Sequence, residues 1–134
     1  MAAGNLATTQ SVISLLEERT KAPTERSHTL LATPSMFQTA RLVGDTVREV
    51  IHANAETGQK ADSSFNASII LGGQIRGTEP RLFQIYPEGN FIESTDDTPF
   101  FQIGEHKYGK PIIVRAYDKA MSFAEAAKLL LVSF

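Results

Sequence analysis

Cysteine is missing from this chain, which excludes thiol nucleophiles, thiolate metal sites and disulfide frameworks together. The remaining reactive side chains are thinly spread. His28, His52 and His106 lie too far apart for a helical metal pair, and each sits in a polar stretch, so they read as solvent-exposed. Asp96-Asp97 has the paired carboxylates used in acid–base hydrolysis, but Ser94, Thr95 and Thr98 around them make a turn the plainer reading. Gly72-Gly73-Gln74 would cradle a phosphate only if a helix N-terminus followed, and here a β-rich run follows, so a turn is expected. The densest group is Gly104-Glu105-His106-Lys107-Tyr108-Gly109. It gathers ionisable side chains between glycines where a strand gives way to a helix, a place where functional groups collect, although a polar junction turn is the simpler account. No metal and no other cofactor is expected.

With 134 residues, 42% hydrophobic and 21% charged, the chain has the size and composition of one globular domain. The formal charge is -2 and the basic residues are scattered from Arg19 to Lys128, which leaves no basic stripe for nucleic acid. No apolar run reaches the ~18 residues of a membrane helix. Met1 to Ala7 has neither the basic nor the apolar region of a signal peptide. Asn66-Ala67-Ser68 matches a glycosylation sequon that has meaning only in a secreted chain. A cytoplasmic protein without nucleic-acid or membrane partners is expected.

These residues must be positioned by a mixed α+β framework. Thr8 or Thr9 can cap a helix over about residues 8–20, with Val12, Ile13, Leu15 and Leu16 leading into Glu17-Glu18-Arg19. A polar loop holding Pro23 follows. Ser35 and Gln38 form a capping-box pair ahead of a second helix, about 35–53, in which Met36, Ala40, Val43, Val47 and Val50 recur at spacings of three and four. A loop through Gly58 leads to an antiparallel meander over about 65–103, with strands at Phe65–Leu71, Arg81–Tyr86 and Phe91–Ser94, and Phe100–Ile103 resuming the last strand or adding one. Two helices fill about 110–134. Pro111 suits the first turn of one, and Ser122 with Glu125 caps the other. Phe123, Ala126, Ala127, Leu130, Leu131 and Phe134 fall on one broad face that is expected to be buried. That last helix has no glycine or polar stop, which predicts a chain cut short there.

Four blocks carry a resemblance: Ala3 to Gln10 (AGNLATTQ), Ala40 to Val50 (ARLVGDTVREV), Phe65 to Gly77 (FNASIILGGQIRG) and Gly89 to Pro111 (GNFIESTDDTPFFQIGEHKYGKP). ILGGQIRG and FFQIGEHKYGKP are long enough to be specific. The chain resembles Anbu, the proteasome-related bacterial subunits within the N-terminal-nucleophile hydrolases.

The resemblance implies an αββα four-layer sandwich of the N-terminal-nucleophile hydrolase type, truncated here at both ends. It implies a threonine-class peptidase whose nucleophile is the first residue of the mature subunit, with that residue's α-amino group as base. The strands that bear the nucleophile, an aspartate and a lysine in the family precede the Ala3-Gly4 block and are not in this chain, so the chain is expected to be inactive as given. Gly4 matches the glycine whose backbone N–H donates to the developing oxyanion. Leu6 falls at the wall of the specificity pocket. Gly104 and Glu105 align with a glycine-serine pair beside the nucleophile, and Glu105 departs from serine there. The implied partners are further copies, in a proteasome-like ring or helical assembly, and a peptide substrate for the parent protein. A non-catalytic assembly subunit and a small stand-alone ligand-binding domain are the competing readings.

Overall fold

The computed structural model describes residues 1–21, 29–56 and 65–134, in two compact units, Met1–Phe101 and Gln102–Phe134. The loop positions Pro23 and Gly58, and His28, lie outside the described residues.

The first unit is a four-stranded antiparallel sheet with two helices packed against it. Strands β1 (Ala2–Gly4), β2 (Ala67–Gly73), β3 (Arg81–Ile85) and β4 (Phe91–Glu93) lie side by side in chain order. The meander β2–β3–β4 is the one expected from the sequence. The fourth strand is not. Phe100–Ile103 has no strand geometry, and β1, from the stretch before the first helix, pairs with β2 instead. Two causes act on the later segment. Thr95 and Thr98 exchange backbone hydrogen bonds (3.0 and 3.1 Å) that close a turn, and Pro99 then supplies no N–H for a ladder.

Helix α1 (Leu6–Lys21) begins ahead of both threonines, because Asn5 Oδ1 accepts the Thr8 N–H at 3.0 Å and takes the cap role itself. Helix α2 (Met36–Glu56) starts as expected, with Ser35 Oγ accepting the Gln38 N–H at 3.2 Å. Its whole stripe, Met36, Ala40, Val43, Val47 and Val50, is buried. Val43, Val47 and Val50 pack with Val12 and Leu16 of α1 on Ile85, while Met36 and Ala40 pack on Phe83. Phe83 and Ile85 alternate with Leu82 and Gln84 and are fully buried, each worth about 1.5–3 kcal/mol relative to exposure. Phe91 meets Phe83 and Phe37 edge-on, at centroid distances of 5.8 and 5.3 Å.

Buried polar groups in this unit are bonded. Thr46 Oγ1 donates to Leu42 O (2.8 Å) and accepts from Arg19 Nη1 (2.9 Å), while Arg19 Nη2 reaches Glu49 at 2.6 Å, so one side chain fastens α1 to α2. Across β3 and β4, Arg81 binds Glu93 through two nitrogens, at 2.5 and 2.6 Å, and lies 5.1 Å from the Phe83 ring centroid. The β3–β4 turn is set against α2 by two glycines. Gly89 has φ +85°, which favours glycine, and a Cβ on Gly44 would overlap the Gly89 carbonyl oxygen.

The second unit is a helix pair, α3 (Gly109–Ala116) and α4 (Phe123–Ser133). Pro111 lies in the first turn of α3, where its missing N–H has no intrahelical partner. The Ser122–Glu125 capping box forms in full, and the Ser122 bonds hold the Glu125 carboxyl below its usual range. The two helices touch closely at Gly109, where a Cβ would overlap the Ser133 carbonyl oxygen. The broad apolar face of α4 is not buried. Phe123 is 92% and Phe134 87% exposed, and Leu130 and Leu131 are exposed as well. An eight-residue α3 is too short to cover a helix whose apolar residues run most of the way round its axis.

Two outcomes test this packing. Gly44→Ala should lower stability by about 1–3 kcal/mol through overpacking, although alanine in a helix normally gains about 1 kcal/mol over glycine; an unchanged or higher urea midpoint would rule out the Gly44–Gly89 contact. The Arg81 hydrogen bond holds the Glu93 carboxyl below the usual carboxylate range. A carboxyl depressed in the folded state contributes stability above its unfolded pKa and loses it as pH falls through the folded value. Stability should therefore drop below about pH 4.5 more steeply in the unaltered chain than in Glu93→Gln, as read from denaturation midpoints across an acid series.

Candidate functional site

The sequence directs attention to Gly4 and Leu6 in the first unit and to Gly104 and Glu105 in the second. The first pair lies where β1 turns into α1. Met1 and Ile70 exchange two hydrogen bonds (Ile70 N–H to Met1 O, 2.9 Å; Met1 amino group to Ile70 O, 3.1 Å), and the Asn5 N–H donates to Asn66 O at 2.8 Å. In an antiparallel ladder such bonded pairs alternate with unbonded ones. Positions 1 and 3 therefore bond to β2 and position 5 to Asn66 just ahead of it, and the backbone groups of Ala2 and Gly4 face the other way. β1 is the outer strand among the described residues, so the Gly4 N–H is directed toward the open edge of the sheet.

Gly4 is held there by conformation as well as by register. Its φ is +111°, outside what side-chain-bearing residues readily adopt, and a Cβ would overlap the Asn66 carbonyl oxygen. The next residue closes the corner. Asn5 Oδ1 accepts the Thr8 N–H, and its carbonyl accepts both the Thr9 N–H and the Thr9 hydroxyl at 3.0 Å. Thr8 is fully buried beneath. Leu6, in the first turn of α1, is 70% exposed, an apolar side chain standing beside the corner. No charged side chain occurs between Met1 and Leu16. The corner thus presents one outward N–H donor, the kind of group that stabilises negative charge on an approaching carbonyl oxygen.

The loop of the second unit is braced by its own side chains. Gly104 has φ +84°. Glu105 Oε1 accepts the Lys107 N–H at 2.9 Å, Gln102 Nε2 donates to Glu105 O at 3.3 Å, and His106 Nε2 lies 3.1 Å from Gln102 O. Lys107 stands over the Tyr108 ring at 5.3 Å. Glu105 is therefore committed, through one carboxylate oxygen, to shaping its own turn.

The other sequence candidates are structural. Gly72 and Gly73 end β2 and pair with Leu82 and Arg81. Asp96-Asp97 sits inside the Thr95–Thr98 turn. His52 and His106 are exposed, and among the described residues no three metal-ligating side chains converge. Among the described residues no helix is long and apolar enough to cross a membrane. A half-open cleft of about 260 Å³ lies between α2 and the β3–β4 turn, lined by Arg48, His52, Asn66 and Glu88 with Ile51 and Pro87. Arg48 pairs with Asp45 at 2.7 Å, both exposed. Sequence reasoning missed Asn5. The available signal was an N-cap residue type three positions ahead of Thr8, at the end of a run too short for any strand periodicity.

No protein-family model and no curated protein matches the chain. Solved structures do. The chain is 50% identical to Anbu (ancestral beta-subunit) from Yersinia bercovieri, with a TM-score of 0.89 over 99% of this chain and 53% of that one. It is 55% identical to Anbu from Hyphomicrobium sp. strain MC1, with a TM-score of 0.85 over 99% of this chain and 53% of that one. It is 43% identical to a Pseudomonas aeruginosa protein solved as the helical assembly of the Anbu complex, with a TM-score of 0.87 over 99% of this chain and 54% of that one. The chain spans about half the length of these relatives.

The direction of the Gly4 amide can be measured. In native-state hydrogen exchange the Gly4 N–H should exchange faster than the Ala3 and Asn5 N–H groups on either side, which face β2 and Asn66 just ahead of it; protection of all three to the same degree would contradict the register described.

Proposed function

Since the chain belongs to the Anbu family of proteasome-like subunits, we propose that it forms the oxyanion side of a self-assembling amide hydrolase of the threonine-peptidase type. The observation that carries this reading is the Gly4 N–H, turned to the open edge of β1 by ladder parity. A hydroxyl nucleophile supplied by a chain segment beyond these residues gives its proton to its own residue's α-amino group and adds to the scissile carbonyl. The carbonyl oxygen takes up the negative charge and the Gly4 N–H donates to it. Collapse of that intermediate expels the amine, which takes the proton back from the α-amino group, and leaves an ester that water hydrolyses. The substrate is an extended peptide, whose main chain can pair with the outward backbone groups of Ala2 and Gly4 as a further strand. Leu6 forms an apolar wall beside it. The complete subunit is an αββα four-layer sandwich, it works in the cytoplasm, and it assembles with its own copies into a ring or helix.

The exposed apolar surface of α4 favours a second reading, in which the chain serves assembly without catalysis. One experiment separates the two. The full-length subunit, assembled, should cleave members of an unbiased peptide pool, and a Gly4→Ala variant should lose about 100-fold or more in kcat. Sedimentation as a uniform large assembly with no cleavage in the unaltered subunit would establish the assembly reading in its place.

A further inference from the structure

The capping residue at the corner is asparagine where aspartate would serve stability as well or better. Asparagine and aspartate cap helices about equally, and a carboxylate gains additionally from the positive end of the helix dipole. Yet α1 carries no acidic residue in its first turn, and the first charged side chain in the chain is Glu17. Helix stability alone therefore does not select a neutral cap over a charged one here, and the neighbouring amide offers a reason. Asn5 directly follows Gly4, whose N–H faces the open edge, and it fixes the chain on the C-terminal side of Gly4: its own N–H bonds to Asn66 O, and its side chain and carbonyl anchor the first turn of α1 through Thr8 and Thr9.

We propose that Asn5 is a positioning residue for the Gly4 amide, holding the strand-to-helix corner through an uncharged cap so that no carboxylate opposes the negative charge that forms on the substrate carbonyl. This inference rests on the hydrolase reading above and adds a requirement that the reading does not contain: the cap must be strong and also neutral.

The test uses the full-length assembled subunit and three variants, with kcat, KM and thermal midpoint measured for each. Asn5→Asp keeps the cap and adds charge; Asn5→Ser keeps a neutral cap; Gly4→Ala displaces the proposed donor, because a Cβ would overlap the Asn66 carbonyl oxygen and φ +111° disfavours a side chain. The expected result for Asn5→Asp is a thermal midpoint equal to or above the parent, KM within about twofold, and kcat lower by about tenfold or more, since a like charge beside the developing oxyanion raises the barrier and leaves ground-state binding alone. Asn5→Ser should retain kcat within about threefold. If Asn5→Asp keeps full kcat while Gly4→Ala loses it, the hydrolase reading stands and the role of Asn5 is overturned. If Asn5→Ser falls as far as Asn5→Asp, side-chain shape and not charge is responsible, and the proposal is overturned again. If Gly4→Ala leaves kcat unchanged, or the unaltered subunit cleaves nothing, the hydrolase reading fails and Asn5 loses its role with it.

Discussion

The register of β2 is the constraint on which the first unit depends. Ile69 stands opposite Ala2 on one side and Ile85 on the other, so β2 sets both the core and the open edge. A slip of one residue against β3 would exchange the faces of Phe83 and Ile85 with those of Leu82 and Gln84, and the α1–α2 layer would lose its fully buried partners. A slip of one residue against β1 would turn the Gly4 amide inward to bond with β2. The hydrophobic packing that selects the register of the sheet therefore also maintains, through one shared strand, the direction of a single N–H at its edge.

Around that register the chain is pinned by close contacts that tolerate no side chain. Gly4 against Asn66 fixes the corner from below, and Gly44 against Gly89 brings the β3–β4 turn onto α2. These approaches are rigid because the groups involved are backbone, which cannot swing aside as a side-chain tip can. Arg19 adds a polar fastening between the helices, linking Thr46 and Glu49 of α2. Arg81 and Glu93 do the same for β3 and β4, with two charge-assisted bonds that define an alignment better than one would.

The second unit shows that local helix signals and burial are separate matters. The Ser122–Glu125 box forms because both partners lie within one turn, so its geometry needs nothing from elsewhere in the chain. The apolar face that follows has the spacing of a buried stripe and is nonetheless open. Periodicity reports which residues share a face. Whether that face is covered depends on how much surface the neighbouring elements offer, and α3 offers eight residues.

What the sequence determined by itself is local or collective. The family was legible because blocks such as ILGGQIRG and FFQIGEHKYGKP are long enough to be specific, and α2 was legible because Met36 to Val50 repeats at helical spacing behind a serine cap. The meander followed from β-rich runs broken by glycine and proline. Tertiary structure alone decided that Ala2–Gly4 is a strand, since three small residues carry no periodicity and pair only with residues more than sixty positions away. It decided that Asn5 and not Thr8 caps α1, because the cap begins where β1 ends. It also decided the role open to Gly4. The direction of an amide in a ladder is a matter of parity between two strands, and parity does not exist until they meet.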